Sequence, residues 1–173
     1  MTRTSILIAD DNEVARGLLR DTLASRADWV VCGEATNGLE AVRQALELKP
    51  DLIVMDMAMP EMDGLQASQE ILKSLPGLPI ILHTMHTGEQ VTIVAKQMGI
   101  QSVVAKTAPV GELESVIEES LLRRAESLAA SPGNSVSDAT AASGAKVLEA
   151  AAGSSQSAQT ASVSDPSDPP KSN

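Results

Sequence analysis

The chain has 173 residues, a formal charge of −10, one cysteine, one tryptophan, and no tyrosine or phenylalanine. A single thiol excludes an intramolecular disulfide, and the acidic balance works against nonspecific attraction to nucleic-acid phosphates. No apolar run approaches the roughly 20 residues that span a bilayer and no signal peptide opens the chain, so a cytoplasmic protein with no membrane contact is expected.

Ser5–Ala9 (SILIA) reads as a first buried strand ending on Asp10-Asp11. From Glu13 to Arg26 the residues Val14, Leu18, Leu19 and Leu23 recur at helical spacing. Trp29–Glu34 is a second strand, in which Trp29 and Cys32 read as packing residues. Asn37-Gly38 then turns into a helix carrying Leu39, Val42, Leu46 and Leu48, stopped by Pro50. Leu52–Met55 is a third strand ending on Asp56, and after Met59-Pro60 and Asp63-Gly64 a helix runs to about Ser74. The Met residues here (Met55, Met57, Met59, Met62) read as core and loop filler. Pro79–His83 is a fourth strand ending at Thr84, followed by a helix over about Gly88–Met98 that Gly99 stops. Ser102–Ala105 is the fifth strand, ending at Lys106, and a last helix after Pro109 carries Leu113, Val116, Ile117, Leu121 and Leu122.

Composition changes at about Arg124. Residues 1–124 hold 11 Lys/Arg and 18 Asp/Glu and are long enough for an independent domain. Residues 125–173 are mostly Ala, Ser, Gly, Pro, Thr and Asp, a composition that buries too little apolar surface to offset ordering entropy. They are expected to be a disordered, low-complexity tail, with at most a marginal helix near Ala139–Ala152.

Five strand–helix units with near-continuous apolar strands predict an α/β fold, a parallel sheet covered on both faces and doubly wound by right-handed crossovers. Ligands of such sheets bind beyond the carboxyl ends of the strands, and there stand Asp10, Asp11, Asp56, Thr84 and Lys106. In the order 2-1-3-4-5, Asp56 lies one strand spacing from both the acidic pair and Thr84, with Lys106 two spacings away on a long stem. Carboxylates this close repel by roughly 4 kcal/mol per pair at 4 Å and an effective dielectric near 20. A raised pKa or a bound cation relieves that, and oxygen ligands with open positions suit Mg²⁺ or Mn²⁺. A carboxylate can serve as a phosphoryl-accepting nucleophile, which fits Asp56 beside Thr84 and Lys106. Each residue also has a plainer explanation: the aspartates or Thr84 as helix caps, Lys106 as a solvated lysine. The His83/His86 pair reads as a core neighbour and a surface residue rather than as metal ligands.

With these residues in place, positions 4–124 resemble the receiver domains of bacterial response regulators. The resemblance rests on ADDN at 9–12, DMAMPEMDG at 56–64, Thr84 and Lys106. DMAMPEMDG, LHTMH and KTAP are most similar to the subgroup usually joined to a C-terminal helix-turn-helix. The resemblance implies a flavodoxin-like fold, with Asp56 as phosphoacceptor, Asp11 as a direct metal ligand, Asp10 as an outer partner and the Ala58 carbonyl as a further ligand. It implies a sensor histidine kinase or phosphotransfer protein as donor, and places His86 and Ala58 where receivers tune phosphoryl lifetime. Val103 departs from the pattern, standing where many receivers carry a switching aromatic three residues before the lysine. The tail lacks the apolar core of a helix-turn-helix, so direct DNA binding is not expected. A single-domain receiver signalling through a downstream protein partner is the leading reading, with a homodimer left open. An Asp-nucleophile phosphohydrolase is disfavoured by Ala58, where such enzymes commonly carry a second acid. A phosphorylation-independent interaction module would fit Val103.

Overall fold

A computed structural model describes residues 3–85 and 87–130. Strand and helix alternate throughout: β1 (Thr4–Ala9), α1 (Glu13–Ala24), β2 (Trp29–Ala35), α2 (Gly38–Leu48), β3 (Leu52–Met55), α3 (Gly64–Ser74), β4 (Ile80–Thr84), α4 (Glu89–Gln97), β5 (Ser102–Ala105) and α5 (Val110–Ala130). The strands form one parallel sheet in the order β2-β1-β3-β4-β5, as expected. Their apolar runs are buried on both faces: Ile6, Leu7 and Ile8, then Leu52 to Met55, then Ile80 to Leu82. Side chains of this kind each contribute about 1.5–3 kcal/mol when removed from water.

Three helices start where a short polar side chain follows a strand or loop. Asn12 Oδ1 accepts from the Ala15 amide, Asn37 Oδ1 from Glu40 and Asp63 Oδ1 from Gln66. Each satisfies an amide that the first helical turn cannot. Leu19 and Leu23 of α1 pack with Leu113 and Ile117 of α5 on one face of the sheet. Ala41 and Ala45 of α2, Ala67 and Ile71 of α3, and Ala95 of α4 pack on the other.

Helix faces depart from the expected pattern. Leu39, Leu46 and Leu48 of α2 are exposed, while Ala41 and Ala45 face the sheet and Gly38 is buried against Met62. Small side chains let α2 approach closely, and the leucines are displaced to its rim. In α1, Val14 (81% exposed) and Leu18 (64%) likewise lie outside the core. The α1 helix ends at Ala24 rather than Arg26, whose guanidinium instead lies 4.7 Å above the Trp29 ring. The composition boundary at Arg124 falls inside α5, which continues to Ala130 through helix-favouring Ala, Glu and Leu residues. The Ala139–Ala152 segment lies outside the described residues.

The β1–β2 pairing contains an irregularity. Ile6 pairs with Val31 and Leu7 with Gly33, so Cys32 is an extra residue on β2. Val31 packs towards α1 and α5, whereas Cys32 packs towards α2 and α3. Cys32 is half-buried, and desolvation pushes its thiol pKa up.

Candidate functional site

β1 and β3 are neighbours, and their final residues deliver two acids side by side. The Asp10 amide donates to the Ala35 carbonyl of β2 (3.0 Å), and the Asp56 amide to the Ala9 carbonyl of β1 (2.7 Å). Both side chains are buried, Asp10 fully and Asp56 at 6% exposure, while Asp11 is exposed. One carboxylate oxygen from each of Asp10, Asp11 and Asp56 lies within 4.8 Å of the others. Thr84 ends β4, is buried, and accepts from the Lys106 amide at its carbonyl (2.9 Å).

Lys106 reaches the acids from β5. Its Nζ lies 2.7 Å from Asp56 Oδ2, donating a hydrogen bond, and 2.8 Å from Asp10 Oδ2. Burial pulls the ammonium pKa down, but the contacts with Asp10 and then Asp56 outweigh it and hold the pKa above the ordinary lysine value. Among the described residues, Asp10 Oδ2 is a buried acceptor with no aligned hydrogen-bond donor, its contact with Lys106 being an ion pair. An under-satisfied buried oxygen, a second acid beside it and a third open to water form an all-oxygen donor set. That set fits a small hard cation such as Mg²⁺ or Mn²⁺.

Other contacts hold the acids in place. Asp10 Oδ1 accepts from the Asn12 amide (3.0 Å). Arg16 Nη1 donates to the Asp10 carbonyl (2.8 Å), and its Nε to Glu34 Oε2 on β2 (3.1 Å). Ala58, exposed in the loop after β3, donates its amide to Asp56 Oδ1 at 3.4 Å. That loop closes where the Gly64 amide donates to the Met57 carbonyl (2.8 Å). A Cβ at Gly64 would stand 2.1 Å from the Asp56 carbonyl oxygen, so the Asp63-Gly64 step requires glycine.

All five residues singled out in the sequence therefore stand at the same end of the sheet. Sequence reasoning missed Arg16 and the reach of Lys106 to Asp10. The signal for Arg16 was its place one helical turn after Asn12. His83 faces α1 and α5 and lines a cavity of about 100 Å³ with Leu18, Leu19, Lys106, Ala108 and Pro109. Among the described residues its buried Nδ1 has no hydrogen-bond partner. Desolvation, and then the Lys106 ammonium, lower its pKa. His86 lies outside the described residues, so the histidine pair is not described. Val103 is half-buried on β5 and packs with the α2–α4 side of the core.

Parallel sheets in this order that gather acids, a hydroxyl and a lysine at their carboxyl edge form the receiver class of signalling domains. The chain belongs to the response regulator receiver family of two-component systems: the family model described as "Response regulator receiver domain" matches residues 6–118. Phosphorelay and Mg²⁺ binding are typical of that family. An uncharacterized transcriptional regulatory protein of Bacillus subtilis is 43% identical over 108 residues, covering 62% of this chain and 50% of that protein. A protein-glutamate methylesterase/protein-glutamine glutaminase of Maricaulis maris is 43% identical over 103 residues, 58% of this chain but 26% of that protein. The methylesterase is thus matched over its receiver part alone. The crystal structure of a LuxR-family two-component response regulator from an Aurantimonas species superposes with a TM-score of 0.68 at 30% identity, covering 71% of this chain and 88% of the other. The chain spans half or less of the length of these two sequence relatives. Among the described residues no helix is long and apolar enough to cross a membrane.

Proposed function

We propose that this chain accepts a phosphoryl group on Asp56 in a two-component phosphorelay and signals through protein–protein contact. The observation that carries the reading is the Asp56 carboxylate itself. It is almost fully buried, yet held 2.7 Å from an ammonium and within 4.8 Å of two more acids. So much charge in one small volume has a use in phosphoryl transfer, which depends mainly on positioning and on neutralising charge at the phosphoryl oxygens.

In this mechanism a carboxylate oxygen of Asp56 attacks the phosphorus of a phosphohistidine on a histidine kinase or phosphotransfer protein. The P–N bond breaks, the imidazole departs with its electron pair and takes up a proton, and an acyl phosphate remains on Asp56. Lys106 moves from carboxylate to phosphoryl oxygen as its ion-pair partner. The Thr84 hydroxyl, one strand away, donates to another phosphoryl oxygen. Asp11, Asp56 and the Ala58 carbonyl would hold a divalent cation, with Asp10 supporting it from outside. That cation, Mg²⁺ or Mn²⁺, would offset negative charge on the transferring group. Arg16 and Asn12 keep Asp10 in place throughout.

Ala58 brings no second acid, so multiple turnover of a phosphoester is not part of this reading. Val136, Val147, Leu148 and Val163 are the branched apolar residues after α5, too few for a helix-turn-helix core. The composition of this stretch supports output through a protein partner rather than through DNA contact by residues 131–173, and a cytoplasmic setting is part of the same proposal. The test is intact mass after incubation with Mg²⁺ and a small phosphodonor. Wild type is expected to gain one phosphoryl group and Asp56→Asn none. An unlabelled wild type, under conditions that label another receiver, would refute the assignment.

A further inference from the structure

We infer that the Asn37-Gly38 step at the start of α2 is a seat for the loop between β3 and α3, with Gly38 as a positioning residue for the Asp56 site. The inference rests on the reading of Asp56 above and goes one residue shell beyond it.

The loop runs from Met57 to Asp63 and touches the site directly, since the Ala58 amide lies 3.4 Å from Asp56 Oδ1. It is fastened at its far end, where the Gly64 amide meets the Met57 carbonyl. Between these points it rests on α2. The Gly38 amide donates to the Met62 carbonyl (3.1 Å), and Asn37 Nδ2 donates to Glu61 Oε1 (3.3 Å). Glu61 has φ +65°, a conformation that residues with a Cβ rarely adopt. The turn at Glu61 is closed from within the loop by the Met62 amide donating to the Pro60 carbonyl (2.7 Å), and α2 adds the two contacts that fix where this turn sits.

Gly38 is where this seat admits no substitution. A Cβ there would stand 2.3 Å from the Met62 carbonyl oxygen and 2.8 Å from the Met62 carbonyl carbon. Those are backbone atoms, which cannot rotate aside. With Gly64 fixed, displacement of Met62 has to be absorbed between Met57 and Glu61, the stretch that carries Ala58. Gly33 on β2 provides a matched comparison. A Cβ there would meet Gln44 Oε1 at 2.3 Å and Leu48 Cδ1 at 2.8 Å, both on α2, but these are ends of flexible side chains with no part in the loop.

The experiment compares Gly38→Ala, Gly33→Ala and Glu61→Gly in the full chain. It measures Mn²⁺ affinity from the spin resonance of free Mn²⁺, phosphorylation by a small phosphodonor, and melting temperature. Gly38→Ala is expected to weaken Mn²⁺ binding about tenfold, the scale of change seen when support behind metal ligands is lost, and to slow phosphorylation. Gly33→Ala is expected to lower the melting temperature while leaving Mn²⁺ affinity unchanged. Glu61→Gly keeps the turn but removes the tie to Asn37, so its Mn²⁺ affinity should fall without loss of melting temperature; this variant decides the matter if Gly38→Ala does not fold. Unchanged Mn²⁺ affinity in the folded seat variants, or an equal loss in Gly33→Ala, would overturn the seat, as would a wild type that binds no Mn²⁺. A wild type that binds Mn²⁺ but takes no phosphoryl group would sink the reading of Asp56, while the Mn²⁺ measurements still judge the seat.

Discussion

Lys106 sits between two buried carboxylates, within 2.8 Å of each, and is itself only 13% exposed. Removing one member of a buried ion cluster leaves the others unpaired, which typically costs about 3–5 kcal/mol. Lys106→Met should therefore destabilise the metal-free protein by about 3 kcal/mol in urea denaturation, and Mg²⁺ should restore part of the loss by supplying the missing charge. An unchanged midpoint in chelator would show that the acids do not depend on Lys106. His83 makes a second prediction at this scale. Its pKa is lowered, first by burial and then by Lys106, so the unfolded chain binds that proton before the folded one does. The stability tied to His83 is complete above the unfolded value near pH 6.5 and is lost as pH falls through the lower folded value. Urea midpoints measured against pH should fall less steeply below about pH 6.5 in His83→Asn than in wild type, and equal slopes would refute the assignment.

At the scale of the element, strands were more legible than helix faces. Leu52–Met55 and Ser102–Ala105 were read to the residue because each is a four-residue run with β-branched residues, too short for a helix, with Pro50 just before the first and Gly99 just before the second. Helix α2 was legible as a helix but not in its orientation: Leu39, Leu46 and Leu48 are exposed, whereas the sheet is met by Ala41 and Ala45 with Val42 beside them. Small residues mark close approach, and hydrophobicity alone does not register them. Ala45→Leu should accordingly cost about 1–3 kcal/mol by overpacking, whereas Leu46→Gln should stay within about 0.5 kcal/mol. Paired denaturation curves would check this, and the reverse ranking would mean that α2 is turned the other way. The positions of Asp10, Asp56, Thr84 and Lys106 were legible because each ends a strand. The Lys106–Asp10 pair was not, since it depends on the path of a flexible side chain across two intervening strands.

For the whole molecule, metal binding and folding should be linked, because the acids meet only when β1 and β3 pair. A cation that binds only the folded state adds about 2.7 kcal/mol at a hundredfold excess over its dissociation constant. Calorimetry should show Mg²⁺ raising the melting temperature of wild type. In Asp11→Ala that rise should disappear, while metal-free stability, set by an exposed side chain, stays within about 0.5 kcal/mol of wild type. A retained Mg²⁺ response would remove Asp11 from the metal site.

The extra residue at Cys32 has a consequence beyond the core. β2 is an edge of the sheet, and an unbroken edge offers a row of amides and carbonyls on which a second chain can align. The irregularity turns the strand over partway, so that Trp29 and Val31 face one layer and Cys32 and Ala35 the other. A stranger's strand could match β2 before this step or after it, but not through both. The stretch open to such pairing around Val30, itself partly open to water, is thereby cut to the three residues Trp29–Val31 before the step.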